Sequence, residues 1–395
     1  MAQCTQSTTI YQLICLVLTA VIVLDIGPAF ENDPPVPMTR RTLFLPLNHT
    51  NYKASYEHSH RRRYLDRENA PIGTDVTNAY VHVVLSTDKR TLPGLLAAIR
   101  SLLVNTKEPD LIRLYVICAP GEGPLMRKIV SCLMNSFPNT RFTNQTLGDS
   151  VGHYQVVEFR IEDYHPGWKI AYREASGADR SAPNNYARMY FHKLLRRPDL
   201  VDQPFPNKVV YLDTDVIVQD DIATLFRESL VDTDYPIALP SRQRTLHAYS
   251  IRFNHPVLRA WNKEHAGTMR EVKESWIAYN NGICVVHLQR WEDYGVAEDI
   301  DFWIKANIQT QLYNFSFNPP FLLGLYNRIE PINSAWNFDG LGYKNRYSVH
   351  NISKGKILHW NGGSKGWKTG ALYARAWKPY NSNECIPRKY LGRDG

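Results

Sequence analysis

The stretch KVVYLDTDVIVQDDIATLF, residues 208–226, decides the fold. Its residues 209–212 form a short apolar run, which is typical of a buried strand in a parallel sheet. The run ends at two carboxylates, those of Asp213 and Asp215. Because ligands of open α/β sheets bind at the carboxyl ends of strands, the sequence predicts a binding site at this point.

The spacing of the two carboxylates predicts a metal site. Side chains two residues apart on an extended segment point to the same side, so Asp213 and Asp215 can bind one hard cation, which prefers oxygen ligands. A divalent metal held there would neutralise a diphosphate. The alternative is a plain turn or helix cap, where Asp-x-Asp is common. The preceding strand and the helix start predicted at Asp220-Asp221-Ile222 favour the metal site.

Length and composition indicate a globular protein with one large domain or two small ones in 395 residues. The formal net charge is +8, but much of the excess lies in residues 58–67. No other basic run is interleaved with aromatic residues, so nucleic acid is a weak candidate and an anionic small substrate fits equally well.

The first 78 residues have the composition of a targeting segment and a stem. Residues 10–24 are almost wholly apolar and predict either a signal peptide, cleaved after Ala29, or a single-pass membrane anchor, although residues 1–9 carry no Lys or Arg. Residues 31–78 are rich in Pro, Asn, Arg and His and predict a linker. We expect a folded domain at 79–378 and a tail at 379–395.

Sequons and cysteines agree with entry into the secretory pathway. Outside the leader, Cys118, Cys132, Cys284 and Cys385 allow zero to two disulfides, with buried free thiols as the alternative for Cys118 and Cys284. Four Asn-x-Ser/Thr sequons predict N-glycan acceptors. They start at Asn48, Asn144, Asn314 and Asn351.

Strands and helices alternate in the first half of the folded domain. The pattern predicts strands at 80–85, 111–118 and 155–161, with helices at 92–104 and after Pro124. This order implies right-handed crossovers and a parallel sheet. Further on, the pattern predicts an amphipathic helix at 185–195, strands at 283–288 and 356–359, and a largely helical stretch at 291–312. No Gly-x-Gly-x-x-Gly follows the first strand, which argues against a dinucleotide enzyme.

A second chemical motif follows the last predicted strand. His359 ends that strand, and its imidazole is a suitable third ligand for a cation of the Mn²⁺ kind. Gly362 and Gly363 allow close backbone approach to a phosphate, and Lys365 supplies a mobile positive charge. The alternatives are a structural histidine and an ordinary glycine-rich turn.

Residues 79–378 resemble glycosyltransferase family 8, the retaining transferases that use nucleotide-sugar donors. Three segments carry the resemblance: YLDTDVIVQDDIATLF, YNNGICVVHL from Tyr279, and HWNGGSKGW from His359. The last of these, with the tail that follows, is most similar to the animal glycosyltransferase 8 domain-containing proteins. The resemblance implies a Rossmann-like, GT-A type α/β fold with a mostly parallel sheet. It also implies Mn²⁺-dependent transfer of a hexosyl unit from a UDP-sugar to a glycan, glycoprotein or other acceptor, by a type II protein of the Golgi membrane.

The resemblance also assigns roles to individual residues. Asp213, Asp215 and His359 would hold Mn²⁺, and Lys365 with Gly362 would bind the donor diphosphate. The remaining site residues would contact the nucleotide or the donor sugar. Ser86 and Asp88 would lie at the nucleotide, Arg188 beside the sugar and phosphate, and Asn280, Asn281 and Gly282 along the donor sugar.

Three positions depart from the family pattern. Asn318-Pro319 replaces an Asp-Gln pair whose Asp contacts the donor sugar, Thr91 replaces an aromatic residue that stacks on uracil, and Gly366 replaces a Pro. The neutral Asn318 leaves open a catalytically silent protein that binds glycans. Since Asp213-Thr-Asp215 also matches the aspartyl nucleophile of haloacid-dehalogenase-like phosphatases, a phosphatase is a third and weaker hypothesis.

Overall fold

We describe a computed structural model of the chain. The described residues are 80–137, 154–164, 183–197, 205–246, 253–314, 317–343 and 345–391. The predicted leader and stem, with the sequons at Asn48 and Asn144, lie outside them. Within these ranges, every helix is too short or too polar to span a bilayer.

A central sheet of eight strands organises the described part of the chain, in the order β3-β2-β1-β4-β8-β6-β7 with β9 beside β6. The pairs β1–β2, β1–β4, β2–β3 and β6–β9 are parallel, whereas β8 is antiparallel to both β4 and β6. Strands β5 and β10 form a separate antiparallel pair. The strands are β1 (Val81–Ser86), β2 (Ile112–Cys118), β3 (Tyr154–Glu158), β4 (Lys208–Leu212), β5 (Val216–Val218), β6 (Ile237–Thr245), β7 (Ile277–Tyr279), β8 (Ile283–His287), β9 (Ile329–Ile332) and β10 (Ile357–His359).

Side chains alternate along the central strands and feed two cores, one on each face of the sheet. Val83 and Leu85 of β1 belong to one core, and Val84 between them belongs to the other. The helices are α1 (Leu92–Asn105), α2 (Gly123–Asn135), α3 (Phe191–Leu194), α4 (Ile222–Glu228), α5 (His255–Glu264), α6 (Leu288–Asp293), α7 (Val296–Thr310), α8 (Asn318–Leu325), α9 (Val349–Ile352) and α10 (Ala374–Trp377). The predicted α/β fold with a mostly parallel sheet is confirmed.

One predicted helix takes a different form. The amphipathic pattern over 185–195 corresponds to a 3-10 helix, Pro183–Tyr190, followed by the single turn of α3. Tyr186 and Ala187 are both buried, so packing on the sheet outweighs the intrinsic preference for a regular α-helix.

The C-terminal residues pack against the rest of the domain. A disulfide joins Cys132 of α2 to Cys385, with the two Cα atoms 5.6 Å apart, and Ile386 belongs to the same core as β1. Cys118 and Cys284 are buried free thiols, which was the alternative interpretation for that pair.

Candidate active site

Three side chains from two distant parts of the sequence meet at the carboxyl end of β4. The ligand atoms of Asp213, Asp215 and His359 all lie within 4.8 Å of one another. Nε2 of His359 is 3.1 Å from Oδ1 of Asp215 and 3.8 Å from Oδ2 of Asp213. The structure therefore brings together the three metal ligands that the sequence predicted.

Strand pairing fixes this arrangement. In the β5–β10 pair, His359 is aligned with Val216, the residue after Asp215, and the N–H of Trp360 donates to the carbonyl of Asp215 at 2.8 Å. On the other side, β8 runs antiparallel to β4, and the N–H of Asp213 donates to the carbonyl of Gly282 at 2.7 Å. The predicted metal ligands are thus positioned by backbone hydrogen bonds on both sides.

The surroundings shift the pKa values of the two carboxyl groups in opposite directions. Burial raises the pKa of Asp213, and the neighbouring Asp215 adds to the effect while Arg188 opposes it. Burial would also raise the pKa of Asp215, but His359 and Lys365 outweigh burial and hold that pKa well below its usual range. Asp215 is therefore the firmly ionised member of the pair.

Lys365 and the glycine loop close the site. The ammonium of Lys365 bonds to Oδ2 of Asp215, and it donates to the carbonyl of Trp360 at 3.2 Å. Gly362 has a φ of 123°, and a Cβ atom there would lie 2.7 Å from the carbonyl oxygen of Gly342. The lack of a side chain at Gly362 thus lets two backbone segments pack closely. The same loop holds the ammonium of Lys365 beside the carboxylate of Asp215.

Arg188 and the turn Asn280-Asn281-Gly282 lie next to the carboxylate of Asp213. Arg188 is 5% exposed, so it is a buried residue and does not face solvent. Its Nη1 donates to the carbonyl of Asn281 at 2.7 Å, and its Nη2 is 3.7 Å from Oδ1 of Asp213. The side-chain amide of Asn281 donates to Oδ1 of Asn318 at 3.0 Å. Asn318 therefore lies next to Asn281.

The predicted nucleotide end follows β1, next to β4 in the sheet. The hydroxyl of Ser86 donates to the carbonyl of Asn184 at 2.9 Å. Asp88 accepts from the backbone N–H of Arg90 at 2.7 Å and pairs with its guanidinium at 2.7 Å. Thr91 bonds through its hydroxyl to that of Thr87 at 3.0 Å, so it braces this loop.

Sequence reasoning missed two residues of the segment Trp336-Asn337-Phe338-Asp339. Oδ1 of Asn337 lies 2.9 Å from Nδ1 of the buried His359, and Asp339 accepts from Nδ2 of Asn280 at 3.0 Å. An Asn and an Asp on either side of a Phe give no recognisable sequence signal, because their partners are distant in sequence.

The donor set fits a divalent cation of the Mn²⁺ kind. Two carboxylates and one imidazole combine hard oxygen ligands with a nitrogen ligand that suits transition metals. Nδ1 of His359 lies 2.9 Å from Oδ1 of Asn337, so Nε2 is the ring nitrogen that faces Asp213 and Asp215 and would be the one to bind a metal ion.

Comparison with known proteins gives the same family. Residues 82–371 match the family model described as glycosyl transferase family 8. A probable galacturonosyltransferase-like 6 of Arabidopsis thaliana is 28% identical over 310 residues, covering 76% of this chain and 80% of that protein. The glycosyltransferase 8 domain-containing protein 1 of Mus musculus is 26% identical over 316 residues, covering 76% of each protein.

Solved structures agree on the fold. The galactosyltransferase LgtC, in complex with donor and acceptor sugar analogues, aligns with a TM-score of 0.51 at 18% identity, over 79% of this chain and 100% of that one. The WbbM bifunctional glycosyltransferase aligns with a TM-score of 0.55 at 16% identity, over 81% of this chain and 52% of that one. With the family model covering most of the folded domain, the chain belongs to glycosyltransferase family 8 and is a glycosyltransferase with a GT-A type fold.

Proposed function

We propose that this protein is a retaining hexosyltransferase that uses a UDP-sugar donor and Mn²⁺. The observation that carries the proposal is the convergence of Asp213, Asp215 and His359 within 4.8 Å, with the ammonium of Lys365 on Asp215. Hard ligands and a mobile cation at one sheet edge suit a nucleoside diphosphate. The relatives named galacturonosyltransferase-like extend the candidate hexosyl units to hexuronosyl units.

Each group has a distinct task in the proposed reaction. Bound Mn²⁺ would act as a Lewis acid toward the charge that develops on the diphosphate. Lys365 moves from Asp215 to the diphosphate, and Arg188 holds Asp213 and the carbonyl of Asn281 in place. Asn318 is neutral and supplies no nucleophile for double displacement. We therefore propose attack from the leaving-group face, with the acceptor's hydroxyl proton passing to a departing phosphate oxygen.

We also propose that the protein acts in the Golgi lumen, attached to the membrane by its N-terminal segment or secreted after cleavage of that segment. The disulfide between Cys132 and Cys385 supports an oxidising compartment. The acceptor would be a glycan or a glycoprotein. Asn314 and Asn351, both exposed, are the proposed N-glycan sites among the described residues.

The principal alternative is a catalytically silent glycan-binding member of the family, which the neutral Asn318 favours. Incubating the purified full-length protein with Mn²⁺ and a panel of UDP-glucose, UDP-galactose, UDP-xylose, UDP-glucuronate and UDP-galacturonate separates the hypotheses. Donor hydrolysis that Asp215→Asn abolishes supports transfer. Tight glycan binding without turnover supports the silent form, and an acyl-phosphate on Asp213 would support the phosphatase.

A further inference from the structure

In the proposed function the turn Asn280-Asn281-Gly282 lies along the donor sugar, and we call it the donor-sugar turn. Its two Asn side chains contact partners that differ in charge. On one flank, the side chain of Asn281 contacts Asn318, which is neutral. On the other flank, the side chain of Asn280 contacts Asp339, an acid that follows β9. A carboxylate is therefore present beside the donor-sugar turn, on the flank opposite the position where the family pattern places it.

The segment that carries Asp339 is fixed relative to the metal ligands. The N–H of Phe338 donates to the carbonyl of Ile357 at 2.8 Å, and the N–H of His359 donates to the carbonyl of Phe338 at 3.0 Å. Asn337, two residues before Asp339, contacts His359 itself. Asp339 thus belongs to a backbone segment that is hydrogen-bonded to β10, the strand that carries His359.

The hydrogen bonds of Asp339 leave one oxygen for a ligand. Nδ2 of Asn280 lies 3.0 Å from Oδ2, and Nη2 of Arg242 lies 2.8 Å from the same atom. In the part of the chain that the structure describes, no hydrogen bond reaches Oδ1, and the side chain is 30% exposed. The carboxylate is oriented through one oxygen while the other can accept a hydroxyl.

Asn280 and Gly282 connect this carboxylate to the predicted metal ligands. Oδ1 of Asn280 accepts from the N–H of Gly282 at 2.8 Å, and Gly282 packs directly against His359 and Asp213. A sugar attached to a diphosphate at Asp213 and Lys365 would therefore reach Asn280 and Asp339 with its hydroxyl groups.

We propose that Asp339 binds a hydroxyl of the donor sugar through Oδ1, with Asn280 and Arg242 positioning its carboxylate. The inference rests on the proposed function and names a specificity residue for it. Hydrogen bonds to a charged acceptor are about twice as strong as neutral ones, so this contact contributes to choosing the sugar. Asp339 thereby takes over the sugar contact for which Asn318 lacks the charge.

The test is a comparison of two dissociation constants in one variant. Titration calorimetry with Mn²⁺ present measures the binding of UDP and of the UDP-sugar that the wild type hydrolyses fastest in the panel. We expect Asp339→Asn to weaken binding of the UDP-sugar about ten- to hundredfold while leaving UDP binding unchanged. Asp220→Asn, at a partly exposed acid paired with Lys356 at 2.7 Å, is the matched control and should change neither constant.

Other results overturn the inference. If Asp339 only joins Arg242 to Asn280, Asp339→Asn weakens UDP and UDP-sugar equally or lowers the melting temperature alone. Normal donor binding and hydrolysis with impaired transfer would place Asp339 at the acceptor instead. If the wild type hydrolyses no UDP-sugar and binds none more tightly than UDP, the proposed function fails and the inference fails with it.

Discussion

Gly282 has no side chain, and this leaves room for the side chains of His359 and Asp213. An alanine at position 282 should displace them. A Cβ atom at this position would lie 2.4 Å from Cε1 of His359 and 2.7 Å from Oδ2 of Asp213. Since carbon atoms in contact prefer about 3.5 to 4.0 Å, the imidazole would have to move by roughly 1 Å or more. Gly282 is not among the residues with positive φ, so the effect of Gly282→Ala is steric.

The neighbours of His359 prevent it from yielding easily. Its side chain is 2% exposed and hydrogen-bonded to Asn337, and its backbone is paired with β5. Losing an outer-shell partner of a ligand costs about ten- to hundredfold in metal affinity, so displacing the ligand itself should cost at least as much, and a misplacement of about 1 Å costs on the order of hundredfold in rate. We expect Gly282→Ala to reduce both Mn²⁺ affinity, measured by calorimetry, and donor hydrolysis by these factors.

A matched control lies in the glycine loop. Gly363 would accept a Cβ atom with no heavy atom within 4 Å, so Gly363→Ala adds the same methyl group without a collision. It should bind Mn²⁺ like the wild type, and both variants should unfold in a cooperative transition. Wild-type Mn²⁺ affinity in Gly282→Ala, or an equal loss in Gly363→Ala, would refute the steric argument.

Three further predictions concern residues around the site. Asn337→Leu leaves Nδ1 of His359 without its partner and should lower Mn²⁺ affinity about tenfold or more; unchanged calorimetry would show that Asn337 does not orient the imidazole. Gly94→Ala places a Cβ atom 2.4 Å from the carbonyl oxygen of Thr214. Although alanine favours helices by about 1 kcal/mol over glycine, this collision should lower the urea concentration at which the protein unfolds. Increased stability would contradict this. Removing the bond between Cys132 and Cys385, which are 253 residues apart, by a Cys385→Ala substitution should lower the unfolding free energy by roughly 2 to 5 kcal/mol; an unchanged urea midpoint would show that it does not stabilise the fold.

The parallel strands β1 to β4 could be predicted from the sequence because each is a short, mostly apolar segment between turns. The place of Asp213 and Asp215 at the end of β4 could be predicted because they follow such a segment directly. Strand β6 escaped prediction, since Pro240, Arg242 and Arg244 interrupt its apolar pattern. Its burial comes from β8 and β9, which lie far away in the sequence.

The parts of the site that remained hidden depend on contacts between distant segments. No local pattern indicates that Asn337 meets His359 or that Asp339 meets Asn280. The departure at Gly366 reads from the sequence as a change of loop stiffness, but a Cβ atom there would lie 2.1 Å from the indole of Trp377. The glycine is required by packing, which only the three-dimensional structure reveals.

The short strand β10, paired with β5 beside the site, limits which insertions and deletions the gene can tolerate. Because side chains alternate along β10, inserting or deleting one residue within this strand would rotate Leu358 or Trp360 into the place of His359. Such a variant would keep Asp213, Asp215 and His359 in its sequence and most of its core, yet could not bring the three side chains together. Length within this strand is therefore under stricter constraint than most of its side chains.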